Sequence, residues 1–90
     1  MTLLDEIRLS LGITHQKLDT EIQAAIQAGK QELSIAGVRV MDEQDALITQ
    51  AVKIYCRWYF NYQGQAERHR QAFDGMKQAL SLCGDYNEVV

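Results

Sequence analysis

The residues able to do covalent or acid–base chemistry are few, and none has an evident companion. His15 precedes Gln16 and Lys17, and His69 lies between Arg68 and Arg70. A histidine acting as general base needs a nucleophile or an orienting carboxylate within reach, and no motif supplies one. Cys56 and Cys83 are far apart, with no zinc-ligand spacing and too few cysteines for a disulfide framework. A reactive thiol needs an electropositive, partly exposed setting. Cys56 is followed by Arg57 but falls in an apolar stretch, so both cysteines read as inert, buried thiols in a reducing compartment. Asp42, Glu43 and Asp45 could serve as acid–base or metal groups. They directly precede an apolar run, where capping and the helix dipole both favour acid. No phosphate-binding loop, dinucleotide fingerprint or calcium loop is present in the sequence. These residues predict neither an enzyme nor a cofactor or metal site.

Two groups suit binding better. Trp58, Tyr59, Phe60 and Tyr62 are four aromatics in five positions, too many for one helix to turn toward one core, and aromatics are enriched at protein interfaces. Lys53, Arg57, Arg68, Arg70 and Lys77 gather in the second half of the chain, with Lys53 and Arg57 one helical turn apart. Lys53, Arg57, Tyr59, Phe60, Arg68 and Arg70 are therefore the candidate subunit-interface residues. Their expected mate is an acidic face of the next copy, in a head-to-tail contact of the kind that closes into rings.

Four helices are expected to carry these residues. The first runs from about Leu3 to Leu11, with Thr2 as cap, Leu4, Ile7 and Leu11 on one face, and Gly12 after its end. Ile13 to Leu18 form a connector. The second runs from Thr20, capped by Asp19, to about Ala36, with Ile22, Ile26, Gly29, Leu33 and Ala36 inward and Gly37 following. Val38 to Met41 read as an extended loop whose valines touch the core. Asp42 is expected to cap a third helix reaching about Tyr62, with Leu47, Ala51, Ile54, Tyr55, Trp58 and Tyr62 as its main stripe and Ile48, Val52 and Tyr59 widening it. That breadth predicts contacts beyond the chain itself. After Gln63-Gly64-Gln65, the fourth helix spans about Ala66 to Leu82, with Phe73, Met76, Leu80 and Cys83 inward and Gly84 as stop. Residues 85–90 read as a short C-terminal tail. The fold class is an all-α, compact bundle of about four helices in one domain, residues 1–90.

Composition agrees. The chain has 90 residues, no proline and a net charge of -3. A domain this small buries only about 60–65% of its unfolded surface, so outside support would help it. The acidic balance is a poor match to a duplex-DNA binder, which draws affinity from neutralised phosphates. No apolar run approaches the ~18 residues of a membrane span, and the early acids Asp5 and Glu6 predict no signal peptide.

An ordered set of segments carries a resemblance to a known family. It comprises Leu3-Leu4-Asp5-Glu6-Ile7-Arg8, Leu11-Gly12-Ile13-Thr14, Leu18-Asp19-Thr20-Glu21-Ile22, and Leu33-Ser34-Ile35-Ala36-Gly37-Val38. Asp45-Ala46-Leu47-Ile48 leading into Ala51-Val52, then Trp58-Tyr59-Phe60, and last Leu80-Ser81-Leu82-Cys83-Gly84-Asp85-Tyr86 complete it. In order and interval, over nearly the full length, the chain resembles the head–tail connector (head-completion, DNA-packaging adaptor) proteins of tailed bacteriophages. The loop before the third helix departs from that pattern in lacking a proline.

The resemblance implies a structural, non-catalytic role in virion assembly. It implies a ring of about a dozen subunits docked beneath the portal protein, extending the DNA channel and receiving a stopper or tail component. The expected location is the head–tail junction of the virion, with the host cytoplasm as the site of assembly, and no membrane is involved. DNA would pass without sequence-specific binding. Gln23, Gln27, Lys30 and Gln31 on the outer face of the second helix are the candidate channel-facing residues, because a lining poor in fixed cations does not hold phosphate. The alternative is a small helix-turn-helix regulator, since Leu11 to Leu18 resemble its turn; the following helix, however, lacks an arginine- or asparagine-rich reading face.

Overall fold

A computed structural model describes residues 2–39, 42 and 44–87. The chain is all-α, a compact bundle of four helices: α1 (Leu3–Ser10), α2 (Asp19–Ile35), α3 (Ala46–Tyr59) and α4 (Ala66–Leu82), followed by one further helical turn, α5 (Gly84–Asn87). No strand occurs among the described residues.

Local chemistry sets the boundaries. Thr2 and Asp5 form a reciprocal capping box, each side chain accepting the other's backbone N–H at 3.2 Å, which fixes the start of α1. Gly12 (φ 73°) and Gly37 (φ 107°) take left-handed backbone just beyond α1 and α2, a conformation that favours glycine. The start of α2 differs from expectation. Helix geometry begins at Asp19 itself after a Leu18 that offers no side-chain cap. The Asp19 carboxylate instead accepts both Nε and an Nη of Arg8 at 3.0 and 3.1 Å, tying α2 to α1.

The third helix is shorter than the sequence suggests. Asp45, not Asp42, caps it, accepting the N–H groups of Leu47 (2.9 Å) and Ile48 (3.2 Å). Asp42 closes a small turn by accepting the N–H of Gln44 at 2.8 Å; Val40, Met41 and Glu43 lie outside the described residues. The helix stops at Tyr59, because Asn61 (φ 50°) and Gln63 (φ 56°) are left-handed before Gly64 (φ 69°). The Asn61 side chain then accepts the Ala66 N–H at 3.1 Å and starts α4.

The core runs through all four helices. Ile7 of α1, Ile22, Ile26 and Leu33 of α2, Ile48, Ala51, Val52, Tyr55 and Cys56 of α3, and Phe73 and Leu80 of α4 are buried, with Val38 of the loop among them. The inward stripe of α3 is therefore rotated from the expected one. Leu47 faces out at 48% exposure, and Ile54 and Trp58 pack at the margin of the core. Ala36 is exposed, and Met76 and Cys83 are half-buried. Helices α1, α2 and α4 all pack against α3, while Leu47 and Tyr59 at its two ends remain exposed. The Gly84–Asn87 part of the tail is ordered as a helical turn. Tyr86 packs at the core margin, donates its hydroxyl to Asp45 (2.9 and 3.0 Å), and its carbonyl accepts the Arg39 N–H at 2.6 Å. Residues 88–90 lie outside the described residues.

Candidate functional site

The expected interface residues divide between committed and available groups. Arg70 is committed. Its guanidinium forms a two-pronged bond to Glu32 at 3.0 and 2.8 Å, pairs with Asp74 at 3.3 Å, and lies 4.8 Å from the centre of the Trp58 ring. Lys77 joins the same Glu32 at 3.5 Å and stands 5.6 Å over Phe73. This cluster braces α2 to α4 across the aromatic part of α3. The Arg70–Asp74 spacing was legible in the sequence; Glu32, thirty-eight residues away, was not. Lys53 is also engaged, 3.8 Å from Glu6.

Arg57, Tyr59, Phe60 and Arg68 gather around the α3–α4 turn. Arg57 donates to Ser10 at 3.1 Å, bringing the end of α1 to this place, and its guanidinium lies 5.8 Å from the Tyr62 ring centre. Tyr59 is 48% exposed and meets the Phe60 ring edge-on at 5.1 Å. Arg68 is exposed and His69 half-buried. The Nε2 of His69 is buried with no hydrogen-bond partner among the described residues. His15 makes a local contact, its Nδ1 accepting the Lys17 N–H at 3.2 Å. Of the expected channel-facing residues, Gln23, Gln27 and Gln31 are exposed along α2, while Lys30 is half-buried.

The cysteines carry no nucleophilic arrangement among the described residues. Both are free, and burial pushes the Cys56 thiol up to about 12, which leaves it protonated and inert near neutral pH. No group of three or more potential metal ligands occurs among the described residues. No helix of the described residues is long and apolar enough to cross a membrane. An open, polar cleft lies between α1 and the start of α3, lined by Thr2, Glu6, Gln44, Thr49 and Lys53; the Glu6–Lys53 pair bridges it.

Three carboxylates are held below their usual range: Glu32, chiefly by its bond to Arg70; Asp45, chiefly by the Tyr86 hydroxyl; and Asp5, by the Thr2 backbone and hydroxyl. Each is more acidic folded than unfolded. Their stabilisation is thus present above the ordinary values of 3.8 to 4.5 and is lost as pH falls through the lower folded values. The thermal midpoint is expected to fall as the pH drops below about 4. Glu32→Gln should make that fall shallower when unfolding is followed by circular dichroism across pH.

No protein-family pattern, curated protein or solved structure matches this chain.

Proposed function

We propose that this protein is a ring-forming structural component of the head–tail junction of a tailed phage, seated between the portal and the stopper or tail and extending the DNA channel. The reading rests on the ordered segments from Leu3-Leu4-Asp5-Glu6-Ile7 to Leu80-Ser81-Leu82-Cys83-Gly84-Asp85-Tyr86 that resemble the connector family over nearly the whole length. The glutamine-rich outer face of α2, with Gln23, Gln27 and Gln31 exposed and Lys30 its one cation, supports it, because a wall poor in fixed cations holds phosphate weakly. The chemistry of the described residues favours assembly over catalysis: the available groups are aromatic and arginine side chains at the surface, the types that anchor interfaces.

The test is native mass spectrometry and negative-stain imaging of the purified chain over a range of concentrations, alone and with isolated portal rings. Closed rings, or rings formed on the portal, are the expected result. A chain that stays monomeric in both settings overturns the reading. A shifted duplex band at low salt with sequence preference would favour the helix-turn-helix regulator instead.

A further inference from the structure

Among the described residues, the large exposed hydrophobic side chains are confined to the ends of helices. Leu9 (60% exposed) sits in the last turn of α1, and Ile35 (78%) is the last residue of α2. Leu47 (48%) lies in the first turn of α3, Tyr59 (48%) is its last residue, and Leu82 (76%) is the last of α4.

Contacts already described sort four of these five into two groups. The Arg57–Ser10 bond brings the end of α1 beside the α3–α4 turn, so Leu9 and Tyr59 belong to one end of the bundle. The Tyr86 bonds to Asp45 and Arg39 gather the segment after α2, the start of α3 and the end of α4, so Leu47 and Leu82 belong to the other. The fourteen residues of α3 separate the two ends by about 20 Å. The flanks between them carry no such side chain among the described residues.

The two ends differ in charge. Through the turn, residues 57–69, Arg57 and Arg68 outnumber the single acid Glu67. At the opposite end, Asp42 and Asp45 outnumber the single base Arg39 among the described residues of the stretch before α3. Joining like ends would oppose like charges, whereas joining unlike ends pairs them, and like-charge juxtaposition is the costly choice at an interface. We infer that the α3–α4 turn of one copy docks on the end of a second copy that carries Asp42, Asp45 and Leu47. Tyr59 and Leu9 then meet Leu47 and Leu82, and Arg68 faces Asp42. This is a heterologous contact, and it repeats from copy to copy until the rotation closes a ring. The inference rests on the ring-forming reading above and gives that ring its two mating surfaces. It also moves the expected contact from the flanks of α3 to its termini.

Complementary charge reversal tests it, using Arg68→Glu and Asp42→Arg in the full chain. Both positions are exposed, so both variants should fold, and far-ultraviolet circular dichroism checks that they do. Sedimentation velocity at low ionic strength is expected to show self-association of the unaltered chain, weakened about tenfold or more by either reversal alone. An equimolar mixture of the two variants should recover it, because alternating copies restore an Arg–Asp pairing or its reverse at every contact. Raising the salt to about 0.5 M should weaken association of the unaltered chain, as expected for exposed charges. Association that neither reversal changes, or that the mixture fails to recover, overturns the end-to-end contact while leaving ring formation standing. An unaltered chain that assembles only on portal rings, with both reversals assembling equally well, also overturns the contact without touching the connector reading.

Discussion

Replacing Phe73 with alanine is expected to remove about 3–5 kcal/mol of stability. The helix α4 is polar over most of its surface, and Phe73 and Leu80 are its only buried residues. Phe73 has no exposed surface. Its ring meets Tyr55 edge-on at 5.0 Å, with the Arg70 guanidinium and Lys77 ammonium each 5.6 Å from its centre. Truncation therefore removes the transfer energy of a full aromatic side chain, leaves a cavity against Tyr55, and takes away the face over which two cations sit. A domain of this size is stable by only about 5–13 kcal/mol, so the loss is a large share of the whole. Urea unfolding followed by circular dichroism should show a far lower midpoint, with Phe73→Leu falling much less. A loss below about 1 kcal/mol for the alanine variant would mean that α4 is held by something other than this ring.

How much of this was legible in the sequence depended on whether the deciding signal was local. The span of α4, the capping role of Thr2 and the left-handed glycines after α1 and α2 could be read, because each is set within a few residues. The start of α3 could not. Asp42, Glu43 and Asp45 all have the chemistry of a cap, and only tertiary position lets Asp45 bond both Leu47 and Ile48 while accepting the Tyr86 hydroxyl. Its end was missed because Asn61 and Gln63 break the helix in left-handed backbone, which for a glutamine has no sequence signal. The phase of its stripe was misread because Leu47 and Ile48, Ala51 and Val52, and Ile54 and Tyr55 are adjacent apolar pairs, and only packing decides which adjoining stripe turns inward. At the candidate surface, Arg57, Tyr59, Phe60 and Arg68 were singled out by type and spacing, and the fold gathers them around the α3–α4 turn. The capture of Arg70 by Glu32 joins residues on separate helices, and no spacing rule reaches that far. That capture removes Arg70 from the set available to a partner and leaves the turn residues as the arginine and aromatic groups at that end.

Gly29→Ala is expected to destabilise the protein, while the same change at Gly75 stabilises it. Alanine in a helix interior is favoured over glycine by about 0.8–1.0 kcal/mol, so propensity alone predicts a gain at both sites. Gly75 in α4 is exposed, and a Cβ there meets nothing within 4 Å, so the gain should be realised. At Gly29 in α2 the added Cβ would lie 3.1 Å from both Cγ and Cδ1 of Tyr55, closer than ordinary carbon contact. The Tyr55 ring has little room to yield, being 5% exposed and hemmed by Trp58 at 5.1 Å and Phe73 at 5.0 Å. Forcing a methyl into such packing costs about 1–3 kcal/mol, which exceeds the propensity gain over most of that range. The balance at Gly29 is therefore a net loss of up to about 2 kcal/mol, and Gly29→Leu, which must push α2 away from α3, should lose more. Paired thermal unfolding of the two alanine variants reads the sign directly. A gain at both positions would show that α2 does not approach α3 closely enough for glycine to be required at their crossing.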